Sequence, residues 1–321
     1  MTRRDPRGLL AAAPVLPLVL SLVAPTAAIA QAPPDVAPPT KSSFKVPDPG
    51  DFVRVVYDED GTAVRLQTAI ARYRPQLTEV GEDEGVLVDL IAAVHVGDRR
   101  YYKDLDDRFR KYDAVLFELV MPEGTTPPDG QPTPVDDPFS MLVDMGLTHV
   151  GLASQTDHID YTRDNFVHAD LSPAQMFAKM EERGDDMMTI ALGVLADSMR
   201  QQNQLERQAA ADPATVDPFA NVDPFELLFA PDGPMQMKRI FAEQLAGDAM
   251  EQGLGPTLET LLLDDRNEAC MKVFQKELAK GAKRIAIFYG AAHMDDLDRR
   301  MREEFGLART DVGWMTAWDL R

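Results

Sequence analysis

The chain has 321 residues, of which 45% are hydrophobic and 27% charged, proportions typical of a globular protein with a buried core. Its formal net charge of −20 disfavours nucleic acid and anionic membrane surfaces as partners, because neither would be attracted to it. A single cysteine, Cys270, excludes an intrachain disulfide, and its apolar helical setting favours a buried, inert thiol. The acidic charge fits solubility alone, or a preference for cationic ligands or metals.

Residues 1–30 have the three parts of an export signal peptide. Arg3, Arg4 and Arg7 form a basic start, an apolar stretch follows, and a small-residue cleavage site ends at Ala30. We therefore predict cleavage after Ala30 and export to the periplasm or the outside of the cell. The apolar stretch is shorter than a membrane-spanning helix, so we expect no stable membrane insertion afterwards. The route stays open between Sec and twin-arginine export.

Residues 31–50 are rich in proline and are typical of an extended linker. Residues 51–321 are predicted to form one α/β domain. It begins with two strand-like segments that flank Asp60-Gly61, a pair common in the turns of β-hairpins.

A β-α-β unit follows the hairpin. Residues 86–95 form an apolar run that ends in His95, residues 101–109 have a helical pattern, and residues 114–120 form a second strand that contains Glu118. Since the strands of such a unit are parallel, their carboxyl ends meet at one edge of the sheet. We therefore expect His95 and Glu118 to lie side by side.

The middle of the chain, residues 139–263, is predicted to be a helical insertion rich in methionine. Ser172-Pro173 starts one of its helices, with serine as the cap and proline in the first turn. The methionines at helical spacing are typical of a core or of a site lining.

The strand–histidine–helix pattern then occurs a second time. Residues 284–293 form an apolar strand that ends in His293, an amphipathic helix follows over 294–305, and residues 312–318 are a last strand. The predicted fold class is therefore α/β, with β-α units at both ends forming one mixed or parallel sheet around the helical middle.

His95 and His293 are the first candidates for a functional site. Each follows an apolar strand and small residues, at the sheet edge where open α/β sheets place ligands. A neutral imidazole binds Mn, Co or Zn well. The alternative is that both histidines are structural, either capping a helix or buried in hydrogen bonds.

Glu118 is a carboxylate at the end of an otherwise apolar strand. Burial there is costly unless the charge is paired or liganded. Two histidines and a carboxylate form a common open metal site in hydrolases, with Glu118 as a ligand or as the general base. The alternative is a salt bridge from Glu118 to an arginine.

Two further residues could take part in chemistry. Arg266 could stabilise an oxyanion, although single arginines on helices are usually solvated. His168 could act as a general acid or base, or as a further ligand. The chain has no HExxH, GxSxG, Walker A or GxGxxG motif, which removes the common zincins, α/β-hydrolases, P-loop enzymes and classical Rossmann enzymes.

At these residues the chain resembles the TraB/PrgY/GumN family, which includes the Tiki proteases. The likeness covers roughly residues 85–320, and its specificity lies in short motifs. These are Gly290-Ala-Ala-His293 with Met294 as the second GxxH motif, Phe117-Glu118-Leu119 as the glutamate strand, Asp265-Arg266-Asn267 as the helix start, and Ala92-Ala-Val-His95 as the first motif, where alanine stands in place of the usual glycine.

The resemblance implies a metal-dependent hydrolase of peptide or protein substrates. It would hold a divalent ion (Mn, Co or Zn) on His95, His293 and Glu118. For other members of the family the resemblance implies binding or silencing of peptide pheromones. The alternative function is therefore a non-catalytic protein that sequesters a peptide or a metal.

Overall fold

A computed structural model of the chain describes residues 52–75, 85–131, 150–184, 232–247 and 263–321, with the isolated positions 189, 193, 196, 200 and 230. These residues belong to one compact unit, Pro47–Arg321. The predicted signal peptide, the whole of the predicted linker and several stretches of the predicted helical middle lie outside the described residues.

The outer part of the main sheet is antiparallel and is organised around one long strand. This strand, β2 (Ala63–Pro75), pairs with β1 (Val53–Tyr57), with β3 (Leu87–Ala93) and, along its other edge, with β9 (Leu307–Asp319). Gly61 has a φ of 81° in the turn between β1 and β2, a conformation that glycine adopts without steric cost. The predicted hairpin and the predicted last strand are therefore confirmed.

The inner part of the sheet is parallel. β8 (Arg284–Gly290) lies between β3 and β5 (Ala114–Phe117), and β7 (Phe166–His168) pairs with the other edge of β5. The strands that precede His95 and Glu118 are not direct neighbours, because the apolar β8 lies between β3 and β5. A separate two-stranded sheet joins β4 (Val96–Gly97) to β6 (Ala153–Ser154).

Helices cover both faces of the sheet. Their bounds are α1 (Arg99–Phe109), α2 (Pro173–Glu182), α3 (Gly233–Ala246), α4 (Asp265–Ala279) and α5 (Met294–Glu303). Side chains of α1 share a core with Phe288 of β8, whereas side chains of α4 and α5 share a second core with Ile287. Since successive strand residues point to opposite faces, an unbroken apolar run such as β8 is what a strand covered on both sides requires.

The structure is thus mixed α/β with a mixed sheet, as the sequence predicts at this level. Two helices, α2 and α3, lie within the predicted middle segment, but the same segment also supplies β7 to the main sheet. Among the residues that the structure describes, no helix is both long and apolar enough to cross a membrane.

Cys270 lies in α4 and is buried, as predicted. Burial raises the pKa of its thiol well above the ordinary value of 9.0. Because the thiolate is the reactive form, this environment makes the thiol inert at neutral pH.

The start of α2 is fixed by a capping box, in agreement with the predicted cap. The Ser172 hydroxyl accepts a hydrogen bond from the Gln175 main-chain N–H at 3.2 Å. The Gln175 side chain in turn accepts from the Ser172 N–H at 2.8 Å. The two bonds satisfy donors that a helix start leaves without partners.

Replacing Ser172 with alanine should lower the free energy of unfolding by about 1 kcal/mol, since the cap oxygen is lost. Urea denaturation followed by circular dichroism measures the change. Ser172→Thr keeps the cap oxygen and should stay closer to wild type. Equal losses in the two variants would contradict a capping role for the hydroxyl.

Candidate functional site

Four polar residues lie at the carboxyl ends of the four parallel strands. His95 follows β3, Glu118 follows β5, Asp170 follows β7, and His293 follows β8 in the short helical turn Ala291–His293. This edge is where open α/β sheets bind ligands, because strand ends and loops converge there. The sequence predicted three of the four.

Glu118 and His293 face each other at the centre of this edge. Nε2 of His293 lies 3.4 Å from Oε1 of Glu118, and the two side chains are only 4% and 9% exposed. The imidazole and the carboxylate therefore meet in a site with little access to solvent, where their interaction is weakly screened.

Gly290, the last residue of β8, explains how His95 and Glu118 approach each other across an intervening strand. A Cβ atom at this position would lie 3.2 Å from Oε2 of Glu118 and 3.4 Å from Nε2 of His95. The φ of Gly290 is −54°, which any residue can adopt, so space rather than backbone conformation favours glycine here. His95 and Glu118 thus converge over the β8 glycine.

Arg266 joins two strand ends. Its Nη2 lies 2.7 Å from Oε1 of Glu118, and its Nε and Nη2 lie 2.9 and 2.6 Å from the two carboxylate oxygens of Asp170. Burial would lower the pKa of Arg266, but the bonds to Asp170 and Glu118 raise it above the ordinary value. Arg266 therefore stays charged and anchors Glu118. Its predicted contact with an oxyanion stays a prediction.

The carboxylate of Glu118 is kept ionised by its surroundings. Burial alone would raise its pKa, but His293, Arg266 and His95 together hold the pKa well below the ordinary value of 4.5. The main-chain N–H of Gly290 also donates to Oε2 at 2.6 Å. The Glu118 carboxylate is therefore ionised, which a metal ligand requires. Its alternative role as a general base stays a prediction.

His168 is placed differently from the other predicted residues. It lies on β7 opposite Phe117, and its Nε2 makes a 2.6 Å hydrogen bond to the main-chain oxygen of Leu119. The structure thus brings His168 to the strand that carries Glu118, bonded to the main chain beside that residue. Its predicted part in proton transfer stays a prediction.

Sequence reasoning missed Asp170, which anchors Arg266. The available signal was the one that pointed to Glu118, an acidic residue directly after a short apolar strand segment. Sequence reasoning also assigned no role to Asn267, whose Oδ1 lies 2.7 Å from Nδ1 of His293.

The residues present can be tested for a metal ion. Among the described residues, no group of three or more histidine, cysteine, aspartate or glutamate side chains forms a ready metal cluster. Nevertheless, the 3.4 Å between His293 Nε2 and Glu118 Oε1 matches the roughly 3.4 Å expected for two ligands with bonds of about 2.1 Å to one tetrahedral ion. The exposed ring of His95 lies beside the same Gly290. His293 and Glu118 are therefore spaced as two ligands of one ion would be, and His95 lies next to them.

Gly290→Ala should destabilise the protein by about 1–3 kcal/mol, because the added methyl group would press against Glu118 and His95. Gly313→Ala is the matched control, since a Cβ there would meet nothing within 4 Å. The control should be neutral or slightly stabilising. Denaturant titration measures both variants, and equal stability of the two would contradict the close approach over Gly290.

Arg266→Leu should cost about 3–5 kcal/mol at neutral pH, because Glu118 and Asp170 would lose their buried counter-charge. A carboxyl whose folded pKa lies below its unfolded value stabilises the fold above the unfolded value and loses that contribution as pH falls through the folded pKa. In the variant the pKa of Glu118 should rise instead. The stability gap to wild type should therefore shrink on acidification.

Denaturant titrations of the two proteins at neutral and acid pH measure this gap. Arg100→Leu is the control, because Arg100 is 90% exposed and pairs with Asp104 at 3.7 Å. It should change stability by no more than about 0.5 kcal/mol at either pH. A gap for Arg266→Leu that stays constant with pH would argue against the buried ion triad.

Comparisons with known proteins leave the resemblance as a prediction. No protein-family model, curated protein or solved structure matches the chain. The likeness to the TraB/PrgY/GumN family rests on the motifs around His95, Glu118, Arg266 and His293.

Proposed function

We propose that the chain is an exported, metal-dependent hydrolase of peptide bonds, related to the TraB/PrgY/GumN and Tiki proteins. The observation that carries this proposal is the pairing of His293 Nε2 with the buried Glu118 carboxylate at 3.4 Å, with His95 Nε2 beside the same glycine. The donor types suit Mn, Co or Zn. The basic, apolar and small-residue order of residues 1–30 supports export.

Each residue has a role in this proposal. His95, His293 and Glu118 would hold the metal, which when bound supplies a Lewis acid and lowers the pKa of a water molecule. Arg266 and the Gly290 N–H keep the Glu118 carboxylate in place. His168, on the adjacent strand, would assist proton transfer. The acidic net charge would favour cationic peptides.

We propose one finer point about the fold, that a largely helical insertion joins β7 to β8. Helices α2 and α3 support this arrangement, as do the helical positions 189, 193, 196 and 200. Because β7 belongs to the main sheet, such an insertion begins after His168.

A second candidate is a non-catalytic protein that sequesters a peptide or a metal. The same geometry supports it, because a histidine nitrogen and a carboxylate oxygen 3.4 Å apart can hold a cation whether or not a reaction follows. The same donors would then bind a metal without turnover.

Metal content separates these possibilities. The mature protein from Gln31, loaded with Zn, Co or Mn and desalted, should contain about one ion per chain, and the His95→Ala/His293→Ala double variant should contain none. His158→Ala is the control, because it removes a histidine that stacks on Tyr102, and it should keep the ion.

A peptide library then tests for turnover by the loaded protein. Cleavage that is lost in the folded double variant would support the hydrolase. Stoichiometric metal without cleavage of any library peptide would favour the sequestering protein. Absence of metal from the loaded wild type would contradict both the metal-dependent hydrolase and the metal-sequestering protein.

A further inference from the structure

Two neighbouring residues in the first turn of α4 reach two sides of the site. Arg266 contacts Glu118, and Asn267, which is fully buried, contacts His293. Consecutive residues of a helix point about 100° apart, so one turn can hold both partners. The contact of Asn267 bears on which nitrogen of the His293 ring holds the hydrogen.

The side-chain amide of Asn267 has one permitted orientation. Its Nδ2 lies 2.9 Å from Oδ2 of Asp296 and 3.4 Å from the main-chain oxygen of His293. Asp296 also accepts from Arg300 Nε at 2.6 Å and from Arg299. An ionised carboxylate can only accept, so a reversed amide would set its own oxygen against two acceptors. Nδ2 therefore faces Asp296, and Oδ1 faces the imidazole.

This orientation determines the hydrogen on His293. Oδ1 of Asn267 lies 2.7 Å from Nδ1 of His293 and is an acceptor only. A lone pair on Nδ1 at that distance would be repelled. We propose that Asn267 is a positioning residue that keeps a hydrogen on Nδ1 of His293 in every charge state of the ring, so that Nε2 is the nitrogen presented to Glu118.

The hydrogen position that Asn267 imposes on His293 differs from the one that Glu118 would favour. Glu118 Oε1, 3.4 Å from Nε2, would attract a hydrogen on Nε2. In a neutral ring without Asn267, the single hydrogen would move to Nε2 and leave no lone pair there. Asn267 prevents this and leaves the Nε2 lone pair for a ligand. The functional meaning of the arrangement rests on the metal site proposed above, whereas the position of the hydrogen does not.

A purely structural role for Asn267 would be to tie α4 to the start of α5. The bond to Asp296 alone would serve that purpose. That role by itself makes no claim about which nitrogen of the His293 ring carries the hydrogen. The two roles therefore differ in what a spectrum of the histidine ring would show.

Nitrogen-15 NMR of the imidazole rings tests the proposal directly in the metal-free mature protein. The whole chain has five histidines, and His293→Gln identifies the signals of His293. Nδ1 of His293 should be of the hydrogen-bearing type at every pH at which the protein is folded. A Nδ1 without hydrogen in wild type would overturn the proposal, and this outcome needs no other variant.

Asn267→Leu should move the hydrogen of the neutral ring from Nδ1 to Nε2. Asn165→Leu is the matched control, because Asn165 Nδ2 also makes two hydrogen bonds, at 2.9 and 3.1 Å, to main-chain oxygens of Phe109 and Tyr112. The control should leave the His293 spectrum unchanged. An unchanged spectrum in a folded Asn267→Leu variant would also overturn the proposal.

A titration with Zn or Co adds a functional measurement. Asn267→Leu should weaken metal affinity about 10–100-fold, as is typical when a group that orients a histidine ligand is lost, and Asn165→Leu should not. Equal affinity of wild type and a folded Asn267→Leu would contradict the positioning role. If wild type binds no metal while Nδ1 bears its hydrogen, the metal function fails and the hydrogen-bond assignment stands.

Discussion

The central constraint on this structure is the negative charge of Glu118 at a nearly buried strand end. A carboxylate without partners in that position would cost several kcal/mol. Two groups far along the chain from Glu118 offset that cost: Arg266 of α4 and the main-chain N–H of Gly290. The docking of α4 and the position of β8 are therefore coupled to the ionisation of one side chain.

The same constraint accounts for the residues around the site. Arg266 is itself a buried charge. Its second carboxylate partner is Asp170, because Glu118 also contacts His293 and the Gly290 N–H. A side chain at Gly290 would crowd the site, because a Cβ there would lie 3.2 Å from Glu118 Oε2 and 3.4 Å from His95 Nε2. Ala92, which stands in place of the glycine of the first motif, lies on β3 and pairs with Tyr289 across the sheet.

The electrostatics of the site suit both proposed functions. Arg266 and the Gly290 N–H donate hydrogen bonds to the Glu118 carboxylate, and an anionic carboxylate suits the binding of a cation. Catalysis would in addition need a bound metal to lower the pKa of water. Sequestration needs only the binding step. The apolar strands and the inert Cys270 behind the site are compatible with both functions.

Local pattern determined much of this protein. Apolar runs set the strands, Asp60-Gly61 set the hairpin and Ser172 set the start of α2, because turn and cap preferences act over a few residues. The anomaly of an acid in an apolar strand likewise pointed to Glu118. Tertiary structure alone decided that β8 separates β3 from β5 and that His95 is exposed while His293 is buried, although both end similar motifs. It also made Asp170 the partner of Arg266 and Asn267 the partner of His293, because contacts between residues 96 and 26 positions apart depend on packing.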